Sequence, residues 1–302
     1  LLVSLLAACG GGGGSTGASG EAGATGPTGP AGPAGPAGPS GASTIKVASN
    51  AAAATDAAIA SWKTLEPQIT VTGVTIASPP VVTFKVTHVD GSAVTGLGNT
   101  VPSGTLRSLP NLAFSLAKLV PAANGSPARW VSYIVTTTAT TPAPSRPTTD
   151  NTGTLVDKGD GTYTYTFHRD ITAVRTQLLA ASGFSDADKA ALGGDKDLSD
   201  LTYTPGQVHR LSIQLSGNAP GTGTNTATGT AFAATPTGVP LTKPFDAIYD
   251  FVPSTGQAVA SSGRDIVANA KCEECHRKLG GIAGDTASSS SASFHGGARN
   301  EV

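Results

Sequence analysis

The most regular feature of the chain is an alternation of apolar and polar positions with a period of two. In residues 162–167, Tyr163, Tyr165 and Phe167 fall on one side while Thr162, Thr164 and Thr166 fall on the other, the pattern of a strand with one buried face. The same alternation puts Val82, Phe84 and Val86 on one face, then Leu211, Ile213 and Leu215, then Phe245, Ala247, Tyr249 and Phe251. A β-branched run over residues 130–138 predicts a further strand. Turn signals at Asp90-Gly91 and Asp160-Gly161 punctuate these segments. The predicted class is therefore mainly β, with an antiparallel Greek-key barrel or sandwich over about residues 66–260.

Two stretches carry helical signals. Residues 50–65 are Ala-rich and free of Gly and Pro, and Ser49 or Asn50 is placed to cap them. They predict a linker helix within residues 45–65. Ser185 and Asp188 have capping-box spacing and Gly193-Gly194 follows, which predicts a short helix over residues 185–192. The Thr/Pro run 136–149 and the Gly/Thr run 217–229 read as loops or mobile insertions.

The N-terminal part has another period altogether. From Gly17 to Gly41 glycine recurs at every third residue, with Pro after Gly26, Gly29, Gly32, Gly35 and Gly38. Only Gly fits the axis of a collagen-type triple helix, so the spacing permits a homotrimer, and a stiff or disordered monomeric spacer is the other reading of residues 10–44. Residues 1–9 read as the apolar end of a secretory signal, and Leu6-Ala7-Ala8-Cys9 resembles the bacterial lipobox. Cys9 is then the lipidation site, and several acyl chains on it give a stable outer-membrane anchor. An ordinary cleaved signal with a chance cysteine is the plainer alternative.

Composition narrows the partners. With 39 Gly and 21 Pro among 302 residues, part of the chain stays out of any packed core. A formal net charge of −1 supplies no basic field for a phosphate backbone, so nucleic acid is not an expected partner. The chain opens on Leu1 without any Met and closes on Val302 soon after its chemically loaded motif, and we expect both ends to be cut.

That motif is Cys272-Glu273-Glu274-Cys275-His276, the C-x-x-C-H signal of covalent c-type haem. Two thiols at this spacing reach the two vinyl groups of one haem, and the adjacent imidazole of His276 lies beneath the iron as proximal ligand. Behind an export signal the reading gains weight, because c-type haem is attached outside the cytoplasmic membrane. A redox dithiol and a zinc site remain open, although a dithiol of this type usually opens a helix in a βαβ unit. Adjacent Cys275 and His276 are also poorly placed for two corners of one tetrahedron. Without Met in the chain, a second axial ligand would be a histidine. His295, followed by Gly296 and Gly297, is the candidate. His88, His168 and His209 read as surface or turn residues at strand ends, and Asp157 and Asp160 as hairpin-turn residues rather than calcium ligands.

Three segments resemble the OmcA/MtrC family of decahaem c-type cytochromes: residues 150–157 running into 159–167, the motif from Cys272 to His276, and residues 295–302. The resemblance spans about residues 66–302 and implies a β domain preceding the start of a multihaem domain at residues 261–302. It implies that His295 is an axial iron ligand and that further haem motifs lie downstream. It also implies extracellular electron transfer from an outer-membrane porin–cytochrome conduit to metal oxides, soluble metals or flavins. The collagen-like spacer is not part of that family pattern. A collagen-stalked surface structural or adhesive protein with an incidental haem is the competing reading, and a single-haem sensor with an open iron position is a third.

Overall fold

The computed structural model describes residues 43–135, 147–174, 176, 201–232 and 237–262, together with seven separate positions before residue 24. The chain divides into two units, 1–40 and 41–302, and the helix and strands all belong to the second. The elements in chain order are β1 (Thr44–Lys46), α1 (Asp56–Thr64), β2 (Pro67–Thr75), β3 (Val81–His88), β4 (Ala93–Thr95), β5 (Val101–Ser103), β6 (Leu106–Ser108), β7 (Leu112–Val120), β8 (Arg129–Ser132), β9 (Thr154–Asp157), β10 (Thr162–Thr166), β11 (His209–Leu215), β12 (Phe245–Val252) and β13 (Gln257–Ala258).

The strands form a first sheet ordered β1-β4-β3-β10-β9, with β2 on the other side of β3, and a second sheet ordered β13-β12-β11-β7-β8. β5 and β6 make a separate hairpin. Pairing is antiparallel apart from β1 and β4, which run parallel. Among the described residues neither sheet closes on itself, so of the two predicted architectures the open, two-layered one is seen and the barrel is not.

The period of two explains why the layers meet. Val82, Phe84 and Val86 of β3 and Tyr163 and Tyr165 of β10 are fully buried, as are Phe114 and Leu116 of β7 and Leu211, Ile213 and Leu215 of β11. Across the gap Phe114 stacks on Tyr165 with centroids 3.7 Å apart and meets Phe84 edge-on at 5.7 Å, while within the first sheet Phe84 stacks on its register partner Tyr163 at 5.4 Å. A buried side chain of this size contributes about 1.5–3 kcal/mol. The intervening threonines of β10 stay half-exposed on the outer face. On the outer face of the second sheet Arg210 forms a two-pronged pair with Asp250, at 2.7 and 2.8 Å, and its guanidinium lies 4.4 Å over the Trp130 ring.

The linker helix starts later than its composition predicts. Thr55, not Ser49 or Asn50, caps it, its hydroxyl accepting from the Ala58 N–H, and Asp56 supplies the acidic first turn. Asn50 has another use. It is buried, and its amide donates to the Thr100 carbonyl and to Asn225 Oδ1. The Gly/Thr stretch 217–229 is likewise no mobile insertion: Thr222, Asn225 and Thr226 are buried, and Asn225 donates to Asn111 Oδ1 and the Asn218 carbonyl. Asparagines from distant parts of the chain satisfy one another there, which makes the loop part of the packed body. The predicted strand at 130–138 is seen as Arg129–Ser132 followed by an isolated bridge at Val135; most of the Thr/Pro run and the predicted helix at 185–192 lie outside the described residues.

Candidate functional site

Cys9, Cys272, Cys275, His276 and His295 all lie outside the described residues. What can be tested for haem is the chemistry of the donor set, and it fits: two thiols separated by two residues and an imidazole next to the second thiol. Cys272, Cys275 and His276 follow β13 in the chain. Among the described residues no group of three or more His, Cys, Asp or Glu side chains is arranged to hold a metal ion, and no helix is long and apolar enough to cross a membrane.

The segment around Asp150 is a corner rather than a site of chemistry. Asp150 exchanges backbone hydrogen bonds with Phe114 of β7, after which the chain crosses to the first sheet as β9. Its buried carboxylate accepts from the Tyr165 hydroxyl and from the backbone N–H groups of His168 and Arg169, at 3.1 and 3.0 Å. The Tyr165 hydroxyl in turn accepts from the Gly153 N–H at 2.9 Å. Burial, and then the Asp150 carboxylate, push the Tyr165 phenol up, so it keeps its proton. A Cβ at Gly153 would run into the Thr166 carbonyl and come within 2.7 Å of the Tyr165 ring, which is why this position is glycine. The residues at the start of the family-like stretch thus have a structural task, to fix where the chain changes sheets.

Asp157 and Asp160 are turn residues. Asp157 Oδ1 accepts from the Gly159 N–H and Oδ2 from the Gly96 N–H, while Asp160 Oδ1 accepts from the Thr162 N–H at 2.8 Å. That last contact holds the Asp160 carboxyl below its ordinary range. Gly161 adopts φ +83°, and a Cβ there would sit 2.8 Å from the Val86 carbonyl oxygen.

His209 departs from its surface assignment. It is the first residue of β11, it points inward, and it is fully buried. Its Nδ1–H donates to the Gln207 carbonyl at 2.9 Å, which leaves Nε2 to accept from the Tyr133 hydroxyl at 3.0 Å. Lys118, opposite His209 in register on β7, is buried too, donating from Nζ to the Thr202 carbonyl and lying 5.9 Å over the Tyr133 ring. Burial, reinforced by the Lys118 charge, lowers the His209 pKa to about 4. The signal for this cluster was present in the sequence: the inward alternations Leu112, Phe114, Leu116 and Leu215, Ile213, Leu211 each extend by one step to Lys118 and His209.

No protein-family model matches the chain, and no curated protein matches it. Among solved structures it is similar to the crystal structure of MtrC from Shewanella baltica, with 22% identity and a TM-score of 0.43. It is also similar to that of the outer membrane decahaem cytochrome OmcA, with 20% identity and a TM-score of 0.45. Each match covers 78% of this chain and 28% of the other, so this chain spans little more than a quarter of their length. The likeness is distant and partial.

Proposed function

We propose that the chain belongs to a surface-exposed multihaem c-type cytochrome that passes electrons to metal oxides, soluble metals or flavins outside the cell. The observation that carries this reading is the sequence Cys272-Glu273-Glu274-Cys275-His276, in a chain whose residues 1–9 read as the end of an export signal. In it, Cys272 and Cys275 hold haem c through thioethers, His276 is the proximal iron ligand, and His295 is an axial ligand to this or a following haem. The haem supplies one-electron chemistry; the residues of this chain fix it, close the iron with imidazole and make no bonds in a substrate. Lipid on Cys9 and the spacer at 10–44 set the distance from the outer membrane, where a porin–cytochrome conduit is the electron donor. The two-sheet body shields and positions the haem segment.

A haem stain after denaturing electrophoresis tests attachment. The full chain, exported in a host that matures c-type cytochromes, is expected to stain, and Cys272→Ala with Cys275→Ala is expected to abolish the stain. An unstained parent would overturn the reading. Carbon monoxide should leave the reduced spectrum unchanged if both axial positions are histidine. The Gly-x-y repeat between Gly17 and Gly41 favours a second reading, a stalked structural or adhesive protein. It predicts trimers in sedimentation and no reduction of ferric oxide or flavin.

A further inference from the structure

We propose that residues 201–208 form an acid-released strap across one end of the sandwich, with His209 as its trigger. The strap and its trigger lie wholly among the described residues, and the proposal stands whether or not the haem reading does.

Leu201 anchors the start of the strap in the core, and among the described residues the contacts of 202–208 centre on one cluster. Lys118 Nζ donates to the Thr202 carbonyl, the Leu119 N–H to the Val208 carbonyl, and His209 Nδ1–H to the Gln207 carbonyl. The Tyr133 hydroxyl donates to His209 Nε2, and within the strap Thr204 Oγ1 donates to Gln207 Oε1 and the Gln207 N–H to the Thr204 carbonyl. The Tyr203 ring packs against His209 and Tyr133 at centroid distances of 5.7 and 6.5 Å.

This arrangement favours a neutral imidazole. When Nε2 gains a proton both ring nitrogens become donors, so the Tyr133 hydroxyl must turn from donor to acceptor and its own proton loses its partner. The new charge also stands opposite the Lys118 ammonium in register. Among the described residues, the groups facing His209 offer no counter-charge: Lys118 from β7, Tyr133 from the segment after β8, Tyr203 from the strap, and Phe251 with Tyr249 beyond it on β12. Asp250 on β12 and Arg210 on β11 form their own pair on the opposite face. Burial accordingly keeps the imidazole neutral down to about pH 4 while the fold is closed.

The strap yields before the strands do. β11 is laddered over seven residues to β7 on one side and to β12 on the other, so charging His209 leaves that strand in place. Withdrawing 201–208 is the smaller change that lets water reach the imidazolium. The Ser254 N–H donates to the Pro205 carbonyl at 2.9 Å, so release also frees the turn between β12 and β13, the last described elements before Cys272 in the chain.

Hydrogen exchange of the full chain at about pH 7.5 and about pH 5, corrected for intrinsic rates, tests this. Amides of 201–208 and Tyr133 are expected to open at least about tenfold more often at the lower pH, with β3 and β10 unchanged. His209→Gln keeps a donor and an acceptor but cannot be charged, and it is expected to remove the difference. Equal protection of the strap at both pH values, or a tenfold difference surviving in His209→Gln, overturns the proposal. Should that variant not fold, the His209 ring titration followed by NMR in the unmodified protein decides. A depressed midpoint accompanied by strap opening supports the trigger, and an ordinary one near 6.5 sinks it.

Discussion

Tyr165 and Tyr133 are both fully buried in the same sandwich, and each donates its hydroxyl proton to a titratable side chain. The acceptors make them opposites. Tyr165 meets a carboxylate that also gathers two backbone N–H groups, and its hydroxyl takes a third from Gly153. The Tyr165 hydroxyl and the His168 and Arg169 N–H groups are all aimed at negative charge, so the corner is held mainly by charge-assisted bonds. Tyr133 meets a neutral imidazole with a lysine across from it. Here the Tyr133 proton has its acceptor only while His209 stays uncharged, and the nearest fixed charge has the wrong sign to help it become charged. The comparison teaches that equal burial does not give equal robustness: one tyrosine pins the crossing between sheets, the other pins a segment that acid can release.

The sharpest way to break the first half of the comparison is Asp150→Ala. It strands the Tyr165 hydroxyl and the His168 and Arg169 N–H groups in or near the core, and the expected loss is about 4 kcal/mol in urea unfolding at neutral pH. A loss under about 1 kcal/mol would mean that water replaces the carboxylate and that the corner is not held as described.

For the second half the handle is pH. The folded pKa of His209, about 4, lies below the ordinary 6.5, so the unfolded chain binds the proton more readily than the folded one. Its contribution is therefore full above about pH 6.5, declines as the pH falls toward 4, and levels off below that. The whole effect is about 3 kcal/mol. Urea midpoints of the parent and of His209→Gln across that window should converge at low pH. Parallel curves would remove His209 from the account.

Tyr165→Phe is the next effect in size. It keeps the ring stack on Phe114 but deprives Asp150 of one donor and the Gly153 N–H of its acceptor, for an expected loss of about 2 kcal/mol by thermal or urea unfolding. Near-UV circular dichroism should stay close to that of the parent, since the ring remains.

These regions also mark how far the sequence could be read. The strands carrying Phe84, Tyr163, Tyr165, Leu211 and Ile213 were legible because one buried face imposes a period of two on consecutive residues. The start of α1 was not, because Asn50 answers to Thr100 and Asn225, partners that no local window contains. The parallel pair β1 and β4 was hidden for a related reason: three residues carry too little pattern, and their pairing is fixed by the fold around them. The loop 217–229 looked mobile by composition, and its asparagines become core only when Asn111 and Asn50 arrive. His209 was misjudged because polar residues at strand ends usually face water; the alternation that turns it and Lys118 inward has to be extended one step past its apolar members. The C-x-x-C-H sequence from Cys272 to His276 is the reverse case. It is legible as a motif from its spacing alone, and it lies outside the described residues.

Tyr133→Phe is expected to have the smallest effect and is the most discriminating between the two tyrosines. It removes a neutral hydrogen bond to His209, at about 1 kcal/mol near neutral pH, roughly half the loss at Tyr165 because no charged partner is involved. The acid response should persist in this variant, since the imidazole is still buried opposite Lys118. It should level off at a higher pH and be smaller in amplitude, because the neutral ring has lost the donor that favoured it and the folded pKa rises toward the unfolded one. Measuring the urea midpoint of Tyr133→Phe at several pH values separates the two contributions. An unchanged levelling-off point would assign the depressed His209 pKa to burial and Lys118 alone, with the hydroxyl merely filling its site.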